Sequence, residues 1–135
     1  MLNRQNKLKG KNMEKHGKRI WFFPDGDRPP FGDSPLKGHE SVVVLNPNKE
    51  QAVIKITFYY EDKDPVVTDE IVVEAERVCC MKTHEKKYFK EKTQPLETQY
   101  ALKVESSVPV IVQYGRLDSR QTNLAYYTVM GYAED

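Results

Sequence analysis

The sequence has little of what several protein classes require. It holds two cysteines in 135 residues, and because Cys79 and Cys80 are adjacent they rarely close a disulfide with good geometry. No apolar run approaches the roughly 20 residues of a membrane helix, and mean hydropathy is -0.71. These absences exclude a disulfide scaffold and a membrane-embedded protein. Reduced thiols and the lack of an apolar segment after the basic N-terminus predict a cytoplasmic protein rather than a secreted one.

The motifs of common enzymes and metal sites are also missing. The sequence has no GxxxxGK or GxGxxG phosphate loop and no GxSxG nucleophile turn. The spacing of His16, His39 and His84 does not match metal ligands on one helix or hairpin. In a strand, Cys79 and Cys80 would point to opposite faces, so one metal could not easily take both. We therefore expect no catalytic residues, no metal and no cofactor.

Charge is distributed unevenly along the chain. Residues 1–19 carry seven Lys or Arg against one acid, a net charge of +6, whereas the remainder has a net charge of −5. Residues 1–16 are predicted to be a basic, disordered leader, and residues 17–135 a single domain. If the leader binds nucleic acid, the binding should be weak, sequence-blind and lost with salt.

The domain alternates between polar and apolar residues in the manner of strands. In Ala52–Tyr60, Ile54, Ile56 and Phe58 fall on one face with Tyr60, which is a period of two. Further strands are predicted at 18–23, 40–46, 68–78, 99–105, 110–117 and 124–132, whereas 83–94 is predicted to be a loop or short helix. A tight turn is predicted at Ser106-Ser107 with Pro109. About seven to eight strands predict an all-β, antiparallel, jelly-roll-like β-sandwich.

Three groups of residues could carry a binding site. Trp21 stands beside the proline-rich loop, residues 24–38, which also has three glycines. It could stack on a ligand, although filling the core is the commoner role. His39 and Glu40 could form a general base, or a hydrogen-bonded pair where a strand begins.

The third group is Arg116, Asp118 and Arg120, which lie on one face if the strand continues. Two guanidiniums around one carboxylate form a structural network, within or between subunits, or leave one Arg free to bind a ligand. We hypothesise that all three groups and the proline-rich loop meet at one ligand or partner site.

Several segments resemble the sensory rhodopsin transducer family in order and spacing. The most specific is Val108–Gln121, with its LDSRQ motif. The others are 17–21, 29–32, 38–46, 56–66 and 75–77. The Lys-rich stretch Lys82–Lys92 and the basic leader depart from the family pattern.

The resemblance implies a cytoplasmic β-sandwich that assembles as a homotetramer without enzymatic activity. It further implies a signalling role as the partner of a membrane photoreceptor. As an alternative, it implies a soluble sensor of a small polar ligand such as a sugar, together with transcription-related DNA binding.

Overall fold

The computed structural model describes residues 15–135, which form nine strands and two short helical turns. The strands are β1 (Lys18–Asp27), β2 (His39–Asn46), β3 (Ala52–Tyr60), β4 (Val66–Val67), β5 (Ile71–Val73), β6 (Arg77–Lys82), β7 (Gln99–Asp118), β8 (Ala125–Met130) and β9 (Tyr132–Glu134). The α-helix α1 (Lys86–Phe89) and a 3₁₀ turn (Lys90–Lys92) follow β6. The predicted leader extends to residue 16, and its residues 1–14 lie outside the described residues. The assignment of residues 17–135 to one domain stays a prediction.

Two antiparallel sheets share the long strand β7. The first half of β7 pairs with β1 and β3, and β4, β5 and β9 complete that sheet. Its second half pairs with β2 and β8, and β6 pairs with the other edge of β2. Apolar side chains from both sheets form one core, in which the Phe23 and Tyr114 rings lie 6.4 Å apart. The predicted all-β sandwich is confirmed.

The tight turn predicted at Ser106-Ser107 and Pro109 is wrong, because β7 runs through these residues as one strand. The register against β1 slips between Lys18 and Ile20, so the extra residues of β7 form an irregularity. Pro109 has no N–H to donate, and its carbonyl accepts a 2.5 Å hydrogen bond from Asn48 Nδ2. The strand therefore bends between the two sheets without ending.

Strand β1 likewise continues past Pro24, where the sequence predicted that it would stop. A register shift between Phe23 and Gly26 places the proline in a bulge, where its missing N–H is tolerated. Gly26 then lies under the Tyr100 ring, and a Cβ there would be 2.5 Å from Tyr100 Cζ. This close approach requires glycine and carries β1 on to Asp27.

The nine strands of residues 15–135 do not correspond one to one with the predicted seven to eight. The predicted strands 99–105 and 110–117 form the single strand β7, two other predicted strands are each divided, and the short strand β4 is additional. The 68–78 segment separates into β5 and the start of β6, with Glu76 at φ 54° between them. The last predicted strand separates into β8 and β9 at Gly131. In the Lys-rich stretch, α1 inserts Phe89 into the core, 5.8 Å from the Phe58 ring. None of the helices in residues 15–135 is long and apolar enough to cross a membrane.

Candidate functional site

A buried carboxylate lies between the sheets near the start of β2. Glu40 is fully buried, and its two carboxylate oxygens accept hydrogen bonds from different elements. Thr83 Oγ1 donates to Oε1 at 2.6 Å, whereas Tyr114 Oη donates to Oε2 at 2.5 Å. The backbone N–H of Asp27 also donates to Oε2, at 3.3 Å. One side chain thus ties together β1, β2, β7 and the residue after β6.

Two tyrosines surround this carboxylate. Burial, followed by the charge of Glu40, raises the pKa of Tyr114 far above its ordinary value, so its hydroxyl stays protonated and donates. Burial and then Glu40 also raise the pKa of Tyr100. In the described part of the chain, the Tyr100 hydroxyl finds no hydrogen bond of good geometry. Glu40, Thr83, Tyr114 and Tyr100 therefore form a buried polar cluster, in which the Tyr100 hydroxyl is a donor without an acceptor among the described residues.

The predicted Arg-Asp-Arg group is assembled at the end of β7. Asp118 accepts hydrogen bonds from Arg120 Nε and Nη2, at 3.0 and 2.5 Å, and lies 3.8 Å from Arg116 Nη2. The other terminal nitrogen of Arg120 bonds Glu97 at 2.8 Å. The hydrogen bonds from Arg120 lower the pKa of Asp118. Both guanidiniums thus serve an ion-pair network within the chain, and the network is exposed at Arg120.

His39 and Glu40 do not form a pair. They are neighbours on β2, so their side chains point to opposite faces of the sheet. Glu40 faces the core, whereas His39 Nδ1 lies 2.9 Å from the backbone oxygen of Lys37. A general base made from this His and this carboxylate is therefore not assembled.

Trp21 is placed apart from the other predicted site residues. Its indole N–H donates to the backbone oxygens of Lys18 and Val110, at 3.1 and 3.2 Å, and the side chain is 7% exposed. It precedes Asp27 by six residues on β1, about 20 Å along a strand. Trp21 is therefore a core residue near the bend of β7, and its ring faces are covered rather than free to stack.

A groove of about 590 Å³ opens where β2 begins and β6 ends. His39 and the later part of the proline-rich loop, which the site hypothesis brought together, border it. The loop residues in its lining are Phe31, Pro35, Leu36, Lys37 and Gly38. Its lining also includes Lys82, His84 and Leu117, which the hypothesis did not include. A smaller cavity of about 360 Å³ adjoins Asp118 and Arg120.

Sequence reasoning missed Thr83, Asp27 and His84. Thr83 and His84 lie in a polar segment without periodicity, which gives no sign of burial. Asp27 was grouped with a loop because Pro24 was predicted to end β1. A signal for Tyr114 existed, since a polar-tipped residue on the inward face of an apolar strand needs a partner.

Comparison with known proteins supports the sequence resemblance. A family model described as ASRT, Anabaena sensory rhodopsin transducer, matches residues 16–133. The solved structure of Thermotoga maritima 1070 is similar at 34% identity and a TM-score of 0.77, over 88% of this chain and 97% of that chain. A structure of an Anabaena sensory rhodopsin transducer is similar at 34% identity and a TM-score of 0.67, over 79% and 94% of the two chains. No curated protein sequence matches this chain.

Proposed function

Because the chain belongs to the Anabaena sensory rhodopsin transducer family, we propose that it works without catalysis, as a cytoplasmic signalling module that docks on a membrane photoreceptor. The observation that carries this proposal is the family match over residues 16–133. The described residues also offer rigid strands that end in exposed polar side chains, which suits binding rather than turnover.

The docking site that we propose is the end of the sandwich that carries His39, Asp118 and Arg120. Arg120 is held by Asp118 and Glu97, so its guanidinium is already ordered before a partner arrives. An ordered side chain loses less conformational entropy on binding than a free one. Beneath it, the Glu40 hydrogen bonds fix the start of β2. Trp21 is left out of this surface because its ring is covered.

We further propose that the chain forms a homotetramer through β8. All six residues of β8 are exposed, including Tyr126 at 69% and Met130 at 56%. Within residues 15–135, β8 pairs with β7 on one edge alone, so its other edge keeps unpaired backbone groups. An exposed apolar edge strand is normally covered by another chain. A second copy of this chain fits, because it would present the same edge; this pairing accounts for a dimer, and the number four rests on the family resemblance.

Light scattering tests this assembly. The wild-type protein should have the mass of four protomers at micromolar concentration, and Tyr126→Glu should reduce that mass by placing charges at the interface. Val72→Glu is a matched control, because Val72 is an exposed apolar residue of the other sheet, at 48%. A monomeric wild type, or a tetrameric Tyr126→Glu protein, would contradict the proposed interface.

Receptor docking is tested with a sensory rhodopsin held in lipid nanodiscs. The wild-type protein should bind these nanodiscs and not empty ones, whereas Arg120→Ala should bind weakly while keeping the mass of the wild type. Lys55→Ala, which also removes an exposed cation, should bind like the wild type. Equal binding to empty nanodiscs would refute docking on the receptor.

A second function is favoured by the 590 Å³ groove beside His39. Cavities of this size accommodate small molecules, so the chain could serve as a sensor of a small polar ligand such as a sugar. A thermal-shift screen of sugars and metabolites tests this function, since a ligand at 100 times its Kd stabilises a protein by about 2.7 kcal/mol. DNA binding has weaker support, because the excess of basic residues lies before residue 20 and the remainder of the chain has a net charge of −5.

A further inference from the structure

The groove beside His39 has an apolar floor and a basic rim. Phe31, Leu36 and Leu117 contribute apolar surface, whereas Lys37 and Lys82 contribute ammonium groups. Each of the ionisable side chains that line the groove in residues 15–135 is a Lys or a His. A ligand there would therefore meet both apolar surface and positive charge.

Further positive charge lies close behind this lining. The Arg28 guanidinium lies 5.7 Å from the centre of the Phe31 ring, and that ring meets the His84 imidazole edge-on at 5.1 Å. Basic side chains from several parts of the fold thus surround one groove: Lys37 and His39 beside the start of β2, Lys82 at the end of β6, and Arg28, which follows β1, behind Phe31. Low-dielectric walls concentrate such a field in a cleft.

His84 is the least satisfied polar residue of the lining. Its Nδ1 is buried and has no hydrogen-bond partner in the described part of the chain. Burial is the main cause that lowers its pKa, and Arg28, Lys82 and His39 lower it further, while Glu85 opposes them. A buried polar atom left without a partner costs about 1–3 kcal/mol, so such atoms often mark functional sites.

We propose that this groove binds an organic anion, a phosphate or carboxylate attached to an apolar ring, in preference to a neutral sugar. The apolar body would cover Phe31 and Leu117, and the anionic oxygens would lie between Lys37 and Lys82. This inference rests on the proposed ligand-sensing function and specifies the class of ligand.

Imidazole resonances in NMR spectra provide a direct readout, because the chain has three histidines. The probes are phenyl phosphate, inorganic phosphate and phenyl glucoside, which separate the contribution of the anion from that of the ring. Phenyl phosphate should shift His39 and His84 but leave His16 unchanged as an internal control. It should bind about fivefold tighter than phenyl glucoside, since each exposed charge contact contributes up to about 1 kcal/mol. It should also bind tighter than inorganic phosphate, because only phenyl phosphate has a ring to bury against the apolar lining.

Variants locate the binding. Lys82→Gln and Lys37→Gln should each weaken phenyl phosphate binding by about two- to fivefold, and Lys55→Gln, a lysine on the outer face of β3, should not. Saturable shifts of His39 and His84 by phenyl glucoside, equal to those by phenyl phosphate, would overturn the anion preference and leave ligand sensing intact. If none of the three probes shifts either histidine at millimolar concentration, the groove is not this site. The thermal-shift screen then decides independently whether ligand sensing itself fails.

Discussion

The hydrogen bonds of Glu40 give the strongest stability prediction. Tyr114→Phe removes a hydroxyl that donates to the Glu40 carboxylate at 2.5 Å, where both side chains are fully buried. A hydrogen bond to a charged group contributes about 1.5–3 kcal/mol. We expect a loss of about 2 kcal/mol in the free energy of unfolding, or about 8 °C in Tm for a domain of this size. Tyr132→Phe is the matched control, because Tyr132 is 65% exposed, and it should change stability by less than about 0.5 kcal/mol.

A change of sign tests the reasoning more sharply. In the wild type, Glu40→Leu leaves the buried hydroxyl groups of Tyr114 and Thr83 without their hydrogen-bond acceptor, so it should destabilise the protein. In the Tyr114→Phe/Thr83→Val double variant those two donors are gone, and the buried carboxylate keeps only the longer hydrogen bond from the Asp27 backbone N–H, at 3.3 Å. Glu40→Leu should then stabilise the protein, because an apolar side chain suits the vacated site.

The assay is chemical denaturation at fixed protomer concentration, since the apparent stability of an oligomer depends on concentration. The slope of the unfolding free energy against denaturant concentration should be the same in all variants. Differences in the midpoint concentration then report differences in stability alone. If Glu40→Leu destabilises both backgrounds equally, the hydrogen bonds are not what holds this carboxylate, and the argument fails.

Three further predictions follow from particular residues. The pKa of His84 is lower in the folded protein than its ordinary 6.5, so the unfolded state takes up the proton first and stability should fall as pH drops below about 6.5. His84→Phe should reduce the pH dependence of the denaturation midpoint below about pH 6.5, and an unchanged pH dependence would contradict the assignment. Gly26→Ala should destabilise the protein by more than about 1 kcal/mol in thermal unfolding, because its Cβ would meet the Tyr100 ring; an unaltered Tm would show that β1 can move away. Deleting residues 1–14 should leave Tm unchanged, because the segment has few apolar residues to bury, and a lower Tm would mean that it packs on the domain.

The fold could be predicted from the sequence where strands alternate cleanly. The predicted third strand matches β3 to the residue, Ala52–Tyr60, because its apolar residues recur with a period of two. The prediction failed where a proline was expected to end a strand but pairing with a distant strand continues it. Pro24 and Pro109 both lie inside strands, in irregular regions that only the facing strand defines.

Part of the geometry around the candidate site could be predicted from the sequence. Asp118 lies two residues from each of its arginines, so the contacts are local: Arg116 lies on the same strand, and the bend after β7 turns Arg120 back onto Asp118. The adjacent His39 is the sequence feature that singles out Glu40, whereas the side-chain partners of Glu40 are Thr83 and Tyr114, which lie 43 and 74 residues away. Local sequence carries no information about such contacts. Trp21 was chosen for its proximity to a loop, and the bend of β7 covers it.

Light dependence is the property that separates a transducer from a protein that merely binds a membrane receptor. A ligand shifts the equilibrium between two receptor states only if it binds them with different affinities. By reciprocity, the two states of the photoreceptor must differ in their affinity for the transducer.

The most direct measurement is therefore the Kd of this protein for a nanodisc-held sensory rhodopsin, in the dark and under steady illumination. Couplings between sites are typically about 1–3 kcal/mol, so we predict that the two Kd values differ by about fivefold or more. Arg120→Ala should weaken both values, whereas Lys55→Ala should leave both unchanged. Equal Kd values in dark and light, or no binding in either, would contradict the transducer role.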